Sequence, residues 1–178
     1  LVKNHLLSYR QSEFNVAVRP TSSKPLPVLL SACRPQIGID PFLYIPMSLF
    51  ERSQILRWKM GWLPARPVPC RCGHTHASRN HLIGCLDLAI RLNVHPSVSP
   101  NPLDYVLNQL PSRRPRRRSS QPHSITRWLL WWPVACTFLL NVDQICHPDV
   151  QFSDSALSRA TTLLFFRWLR LIPESSNS

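Results

Sequence analysis

Proline is the residue that most constrains the folding of this chain. The sequence of 178 residues contains 18 prolines and only 4 glycines. Each proline fixes its own φ, removes a backbone donor and disfavours helix in the residue before it. We therefore expect short helices separated by rigid turns and extended segments, built around one modest core or two small ones.

The prolines and a run of arginines divide the sequence into four regions. Residues 1–46 contain repeated X-Pro pairs and little periodicity, so we expect an irregular, extended connector. Residues 47–111 combine helical periodicity with a cluster of cysteine and histidine, and residues 112–123 have the composition of a basic linker. Residues 124–178 are interpreted as a helical tail rich in tryptophan. The predicted fold class is mainly α.

Helical periodicity is recognisable in several segments. In the first of them, Leu49 and Leu56 lie on one face and Ile55 and Trp58 point the other way, so we expect neighbours on both sides. The predicted helices are Ser48–Met60, a segment from Ser78 or Asn80 to Leu92, Asn101–Leu110 and Ser153–Ile172.

The most apolar stretch runs from Trp128 to Val142 and contains Pro133. It is shorter than the roughly 20 residues of a membrane-spanning helix, so we interpret it as a buried or interfacial segment. The first residues also lack the apolar run of a secretory signal. We therefore expect a nuclear or cytoplasmic protein with reduced cysteines and no membrane partner.

The charge balance is strongly basic. Lys and Arg number 21 against 9 Asp and Glu, which gives a formal net charge of +12. A polyanion is the natural partner of such a surface, and we expect RNA or DNA before a membrane. The alternative is that the charge provides solubility alone. The predicted nucleic-acid contacts are Arg71, Arg79, Arg113, Arg114, Arg116, Arg117 and Arg118.

One constellation of residues has the chemistry of a metal site. Cys70, Cys72, His81 and Cys85 follow the pattern Cys-x-Cys-x8-His-x3-Cys. Zinc takes four thiolate or imidazole ligands in a tetrahedron, and structural sites fill all four positions. His81 and Cys85 are spaced to project from one face of a helix toward the turn that carries the other two ligands. We therefore predict short helices around a small zinc knuckle.

Two alternatives to this ligand set remain open. His74 and His76 are near enough to replace a cysteine ligand, because a single residue separates Cys70 from Cys72. Alternatively, the cluster binds no metal: Cys85 is a small buried hydrophobe, His81 is a surface residue with satisfied hydrogen bonds, and Cys70 and Cys72 are reduced thiols without a role. The remaining cysteines, which lack partners at ligand spacing, are interpreted as ordinary thiols. They are Cys33, Cys136 and Cys146.

Enzymatic machinery is not recognisable in the sequence. The four glycines are not clustered, which argues against a glycine-rich phosphate loop. The nine carboxylates are scattered and suggest no two-metal centre. We therefore predict that the chain is not an enzyme.

The order of these features resembles a known family. Beside the cysteine–histidine cluster, the residues that carry the resemblance are Glu51–Ser53, Arg57–Pro64, His81–Leu86, Pro102–Pro111, Trp132–Cys136, Asp143, Gln144 and His147. This arrangement is similar to the region downstream of the reverse transcriptase domain in non-LTR retrotransposon polyproteins, particularly the zinc-binding segment of fungal elements.

The resemblance implies a zinc-stabilised module that helps a polyprotein hold its RNA template or target DNA. The family's ligand positions fall on Cys70, Cys72, His81 and Cys85, and members vary at the first pair. The family's reverse transcriptase signature, an aromatic residue followed by two aspartates, is absent from this sequence. The resemblance therefore implies an accessory role without polymerase activity.

Two further interpretations compete with a nucleic-acid-binding module. In the first, zinc only stabilises a helix turn, and an aromatic block docks on the rest of a polyprotein. The block consists of Trp128, Trp131, Trp132 and Phe138. In the second, the sequence is a degenerate remnant of a retroelement that does not fold well.

Overall fold

The computed structural model describes residues 2–17, 32–116, 123–150 and 156–173. Within these ranges the regular elements are helices, and no strand is present. The predicted mainly α fold class is therefore confirmed. The elements are α1 (Val2–Ala17), a 3-10 helix (Pro41–Leu43), α2 (Leu49–Lys59), α3 (Arg79–Cys85), α4 (Leu88–Leu92), α5 (Pro102–Asn108), α6 (His123–Thr126), α7 (Trp128–Cys146) and α8 (Ala156–Trp168).

The N-terminal residues are helical, where the sequence predicted an extended connector. Helix α1 covers 16 residues and ends before the first proline of the chain, Pro20. The X-Pro pairs that suggested a connector all lie beyond it, so no proline opposes helix here. Gln11 joins this helix to the irregular segment that follows: its amide nitrogen donates to the Pro35 carbonyl at 2.9 Å, and its amide oxygen accepts from the Ile37 backbone at 3.1 Å.

Helix α2 begins where the sequence predicted it. The Ser48 hydroxyl accepts from the Glu51 backbone N–H at 3.1 Å, and the Glu51 carboxylate accepts from the Ser48 N–H at 2.9 Å. This reciprocal capping box satisfies two backbone donors that the helix itself leaves unpaired.

Burial along α2 differs from the prediction of neighbours on both sides. Ile55 and Trp58 are fully buried, but Leu49 is 84% exposed and Leu56 is also exposed. The opposite side of the helix is enclosed because α7 packs against α2 there. Helix α2 is therefore covered on one side, and its second apolar stripe faces solvent.

The predicted helix from Ser78 or Asn80 to Leu92 is divided in two. Helix α3 ends at Cys85, and Asp87 adopts a left-handed conformation with φ of 49° before α4 begins. The change of direction allows both Leu88 and Leu92 to be fully buried. Periodicity alone missed this break because Asp tolerates the left-handed region without a glycine.

Helix α5 matches its prediction closely. The Asn101 side chain accepts from the Asp104 backbone N–H at 3.1 Å, and Pro102 occupies the first turn. Proline fits there because the first backbone N–H groups of a helix have no helical partner. Leu103, with Val106, faces the core.

Helix α7 lies at the centre of the hydrophobic core. It contacts α2, α4 and α8. Its fully buried Trp132 packs against Phe165 of α8 with ring centroids 4.2 Å apart, and Phe138 packs edge-on against Trp58 of α2 at 5.4 Å. The Trp131 indole N–H donates to the Leu92 carbonyl at 2.9 Å. Buried residues from both sides of the basic linker thus belong to one core.

The apolar stretch predicted at Trp128 to Val142 forms part of a longer helical segment. Residues 123–146 are long and apolar enough to cross a membrane by length and composition, with a mean hydropathy of 1.3 over the best 18-residue window. About 44% of that window is buried inside the protein. Its buried tryptophans match the interpretation of a core segment.

The last helix is shorter in the described residues than predicted. Helix α8 covers Ala156–Trp168, and the predicted start at Ser153 lies outside the described residues. Phe165 and Leu169 are buried against the core.

Candidate metal centre

The four predicted ligands lie together in the folded chain. One donor atom from each of Cys70, Cys72, His81 and Cys85 lies within 4.8 Å of all the others. The Cys70 and Cys85 sulfurs are 3.8 Å apart, and the Cys72 sulfur lies 3.4 Å from the His81 Nε2 atom. All of the cysteines are free thiols. The cluster can therefore hold a metal ion.

A tight turn places the first pair of ligands. The Gly73 backbone N–H donates to the Cys70 carbonyl at 3.0 Å, and the Cys70 N–H donates to the His74 carbonyl at 2.8 Å. Gly73 has φ of 91°, a region that side chains with a Cβ rarely adopt. The Ala77 N–H continues the pairing by donating to the Val68 carbonyl at 2.8 Å. The result is a hairpin-like loop that directs two cysteines to one side.

Helix α3 places the second pair of ligands. The Ser78 hydroxyl caps the helix by accepting from the His81 backbone N–H at 3.3 Å. His81 and Cys85 follow within two turns at a spacing of four, so their side chains share one face. Because Ser78 follows directly on the hairpin-like loop, this face meets Cys70 and Cys72.

The nearby histidines have other contacts. The His74 ring stacks on the His81 ring with centroids 4.3 Å apart, and its Nδ1 accepts from the His76 backbone at 3.1 Å. The His76 Nδ1 lies 2.8 Å from the Thr75 hydroxyl. The group of four donors contains Cys72 rather than either histidine. His74 thus orients the imidazole of a candidate ligand by stacking.

The thiols influence one another's protonation. The pKa of Cys72 is lowered, first because the His74 backbone donates a hydrogen bond to its sulfur. The pKa of Cys85 is raised to about 11 because hydrogen bonds with Cys72 and Cys70 favour its neutral form. Sulfurs this close cannot all ionise without a cation between them, and a divalent metal supplies that charge.

Arg79 is held inside the protein, where the sequence predicted a nucleic-acid contact. Its side chain is 13% exposed and lies over the Trp58 ring at 4.0 Å from the centroid. Its guanidinium also pairs with buried Asp104 at 3.3 Å, and the same carboxylate accepts from the Trp58 indole N–H at 2.8 Å. Arg79 therefore anchors the ligand-bearing helix α3 to α2 and α5.

The other predicted nucleic-acid contacts differ in their surroundings. Arg71, Arg113 and Arg116 are exposed. Arg114 is also exposed and donates from Nε to the Trp168 carbonyl at 3.2 Å. Arg117 and Arg118 lie outside the described residues.

A second polar cluster brings together residues whose contact was not predicted from the sequence. The fully buried Asp143 of α7 accepts hydrogen bonds from Gln54 at 3.1 Å and from two nitrogens of Arg57, one at 2.9 Å. Its carboxylate also lies 2.9 Å from the His147 Nδ1 atom. Gln54 and Asp143 are 89 positions apart, so spacing along the chain could not predict their contact.

Comparisons with protein-family models, with curated proteins and with solved structures gave no match to this chain. The arguments for function therefore depend on the residues, their geometry and the resemblance of the sequence pattern.

Proposed function

We propose that this chain is a non-catalytic, zinc-binding accessory module that binds RNA or DNA beside a reverse transcriptase. The observation that carries the proposal is the meeting of three cysteine sulfurs and one imidazole nitrogen within 4.8 Å. A closed set of three thiolates and one imidazole is a ligand set of structural zinc sites. The resemblance to retrotransposon polyproteins supports the reverse transcriptase as a partner.

Two of the separations between donor atoms fit zinc. A tetrahedral zinc with bonds of about 2.3 Å to sulfur and about 2.0–2.1 Å to nitrogen separates two sulfurs by about 3.8 Å and a sulfur from a nitrogen by about 3.5 Å. The Cys70–Cys85 separation is 3.8 Å, and the Cys72–His81 separation is 3.4 Å. These two edges support a tetrahedral site of that size.

The charge of the exposed surface supports a nucleic-acid partner. Arg71 lies between two candidate zinc ligands, and Arg113 and Arg116 are exposed on the basic segment. The net charge of +12 adds attraction at longer range. Such contacts are directed to phosphates and need no particular base sequence.

A salt titration tests the nucleic-acid proposal. We expect the affinity of the zinc-loaded protein for single-stranded RNA and DNA to fall steeply as salt rises, because cationic contacts release counterions. Replacing Arg71 and Arg116 together by alanine lowers the slope of log affinity against log salt by about 1–2. Arg10→Ala, which removes one positive charge from α1, serves as the control with a smaller effect. An affinity independent of salt would contradict the proposal.

The burial of the tryptophans argues against the rival docking surface that was predicted from them. Trp128, Trp131 and Trp132 are all buried in the core, where they pack on one another and on α8. They therefore offer no surface to another protein. A purely structural role for this chain would need a different interface.

A further inference from the structure

A groove in the described part of the chain lies beside the candidate metal centre. Its cavity volume is about 780 Å³, within the range of roughly 300–1,000 Å³ that ligand sites occupy. Its walls are residues 64–67, residues 77–80 and residues 98–109. The second wall continues directly into the ligand His81.

The chemistry of the groove combines flat apolar surface with hydrogen-bonding groups. Pro64 and Pro67 form one wall, and Tyr105 stands on another. The exposed side-chain amides of Asn80 and Gln109 also line the groove. An amide offers both a donor and an acceptor, which is the pattern needed to recognise the edge of an unpaired base.

The charges of the groove favour an anionic ligand. Arg66 is exposed at the groove, and Arg79 lies in the opposite wall. The Arg79 Nε atom is buried and has no hydrogen-bond partner among the described residues. The carboxylate of Asp104 also lines the groove, but it pairs with Arg79. Arg66 is therefore the arginine of the groove that would contact a phosphate.

We infer that this groove binds one or two unpaired nucleotides, with bases against the proline and tyrosine surfaces and phosphates toward Arg66. The inference rests on the proposed nucleic-acid function and gives it a location and a preference. A duplex keeps its bases stacked and paired inside the helix, so only a single strand can place them in the groove. Binding here would add base contacts to the phosphate contacts of Arg71.

The test compares a groove variant with a matched control. The zinc-loaded full chain is titrated into a labelled single-stranded RNA of mixed sequence and into the same RNA as a duplex. We expect Asn80→Ala combined with Gln109→Ala to weaken single-strand binding about tenfold, because two hydrogen bonds are lost. In this double variant, the affinity for the duplex and the slope of log affinity against log salt should stay within twofold of the parent values. Gln36→Ala, another exposed amide outside this groove, should bind both RNAs as the parent does.

A second measurement keeps the inference independent of variant folding. Thiouridine-containing single-stranded RNA is photocrosslinked to the unaltered protein, and crosslinks at Tyr105 or residues 64–67 are expected. Unchanged single-strand affinity in the double variant, or crosslinks elsewhere only, would overturn the groove and leave the salt-dependent function standing. No binding of either RNA by the parent protein would overturn both proposals.

Discussion

The core around α7 and the metal knuckle, defined as residues 70–85, depend on different physical forces. In the core, Trp132 and Phe138 are fully buried, so apolar burial and ring packing stabilise it. In the knuckle, Cys72 is exposed and the loop from 71 to 76 has no buried side chain. The comparison teaches that burial fixes the core and reaches the knuckle through Leu82 and Ile83, whereas it does not fix the loop from 71 to 76. The four donor atoms beside that loop can hold a metal ion.

A buried polar contact joins the two regions. Arg79 of α3 pairs with Asp104 of α5 and lies over Trp58 of α2, which itself packs on α7. The ligand-bearing helix thus rests on the core through this guanidinium and through its buried Leu82 and Ile83. Order imposed by a metal in the knuckle would stabilise this contact, and the core in turn orients two of the four ligands.

Removal of the metal is expected to give the largest difference between the two regions. Chelation should abolish hydrogen-exchange protection across the loop from 71 to 76, because structural zinc contributes about 10 kcal/mol or more in zinc-finger peptides. The exchange protection of the α7 amides should change by less than tenfold. Exchange measured by mass spectrometry with and without chelator checks this expectation. Equal loss of protection in both regions would remove the distinction.

Trp132→Ala should destabilise the core rather than the knuckle. It removes a fully buried ring packed against Phe165, and we expect a loss of about 3–5 kcal/mol in the free energy of unfolding. Trp62→Ala is the matched control, because Trp62 is 56% exposed. Its replacement should lower the free energy of unfolding by under about 1 kcal/mol. Urea unfolding of the zinc-loaded protein measures both. Similar losses in the two variants would contradict the assignment of the core.

Asp104→Ala should affect both regions. The change leaves the Arg79 guanidinium and the Trp58 indole N–H without their acceptor in a largely buried site, at a cost of about 3 kcal/mol in unfolding free energy. Zinc affinity should also fall about tenfold as α3 loses its anchor. Competition with a chromophoric chelator measures the affinity. An unchanged affinity would show that the knuckle is independent of the contact.

The two buried aspartates should give stability opposite dependences on pH. Burial raises the pKa of Asp104, so its ionised form destabilises the fold and that penalty disappears as pH falls toward the unfolded value of about 3.9. Burial also acts to raise the pKa of Asp143, but hydrogen bonds from Arg57 and Gln54 outweigh it and lower the pKa. Its stabilisation is complete above about pH 3.9 and is lost as pH falls through the lowered value.

Urea unfolding between pH 7 and pH 2 separates these contributions. Asp143→Asn should reduce the loss of unfolding free energy in acid. Asp104→Asn should remove the gain in unfolding free energy that the parent shows as pH falls to about 4. The same pH profile in both variants would contradict the assigned shifts.

The sequence predicted the knuckle better than the core because its ligands lie close in the chain. A turn at Gly73 and a cap at Ser78 are local signals, and they were sufficient to place four donor atoms. The proline pattern failed for α1, because it was extended to residues that precede the first proline. Leu49 was misjudged because periodicity cannot tell which of two apolar stripes meets a neighbour.

Contacts distant in sequence were beyond prediction. Arg79 was predicted to contact a nucleic acid, but it contacts Trp58 and Asp104 instead. These contacts form only because α2, α3 and α5 pack together. The Asp143 cluster depends in the same way on the approach of α2 to α7. Pairing of this kind requires the tertiary fold, since neither period nor spacing encodes it.

X-ray absorption at the zinc edge of the purified protein tests the central claim most directly. The account predicts one zinc per chain, bound by three sulfurs at about 2.3 Å and one nitrogen at about 2.0–2.1 Å. In Cys85→Ser the sulfur signal should fall to two or vanish with the metal. A zinc surrounded only by oxygen and nitrogen, or a parent protein that retains no zinc, would contradict it.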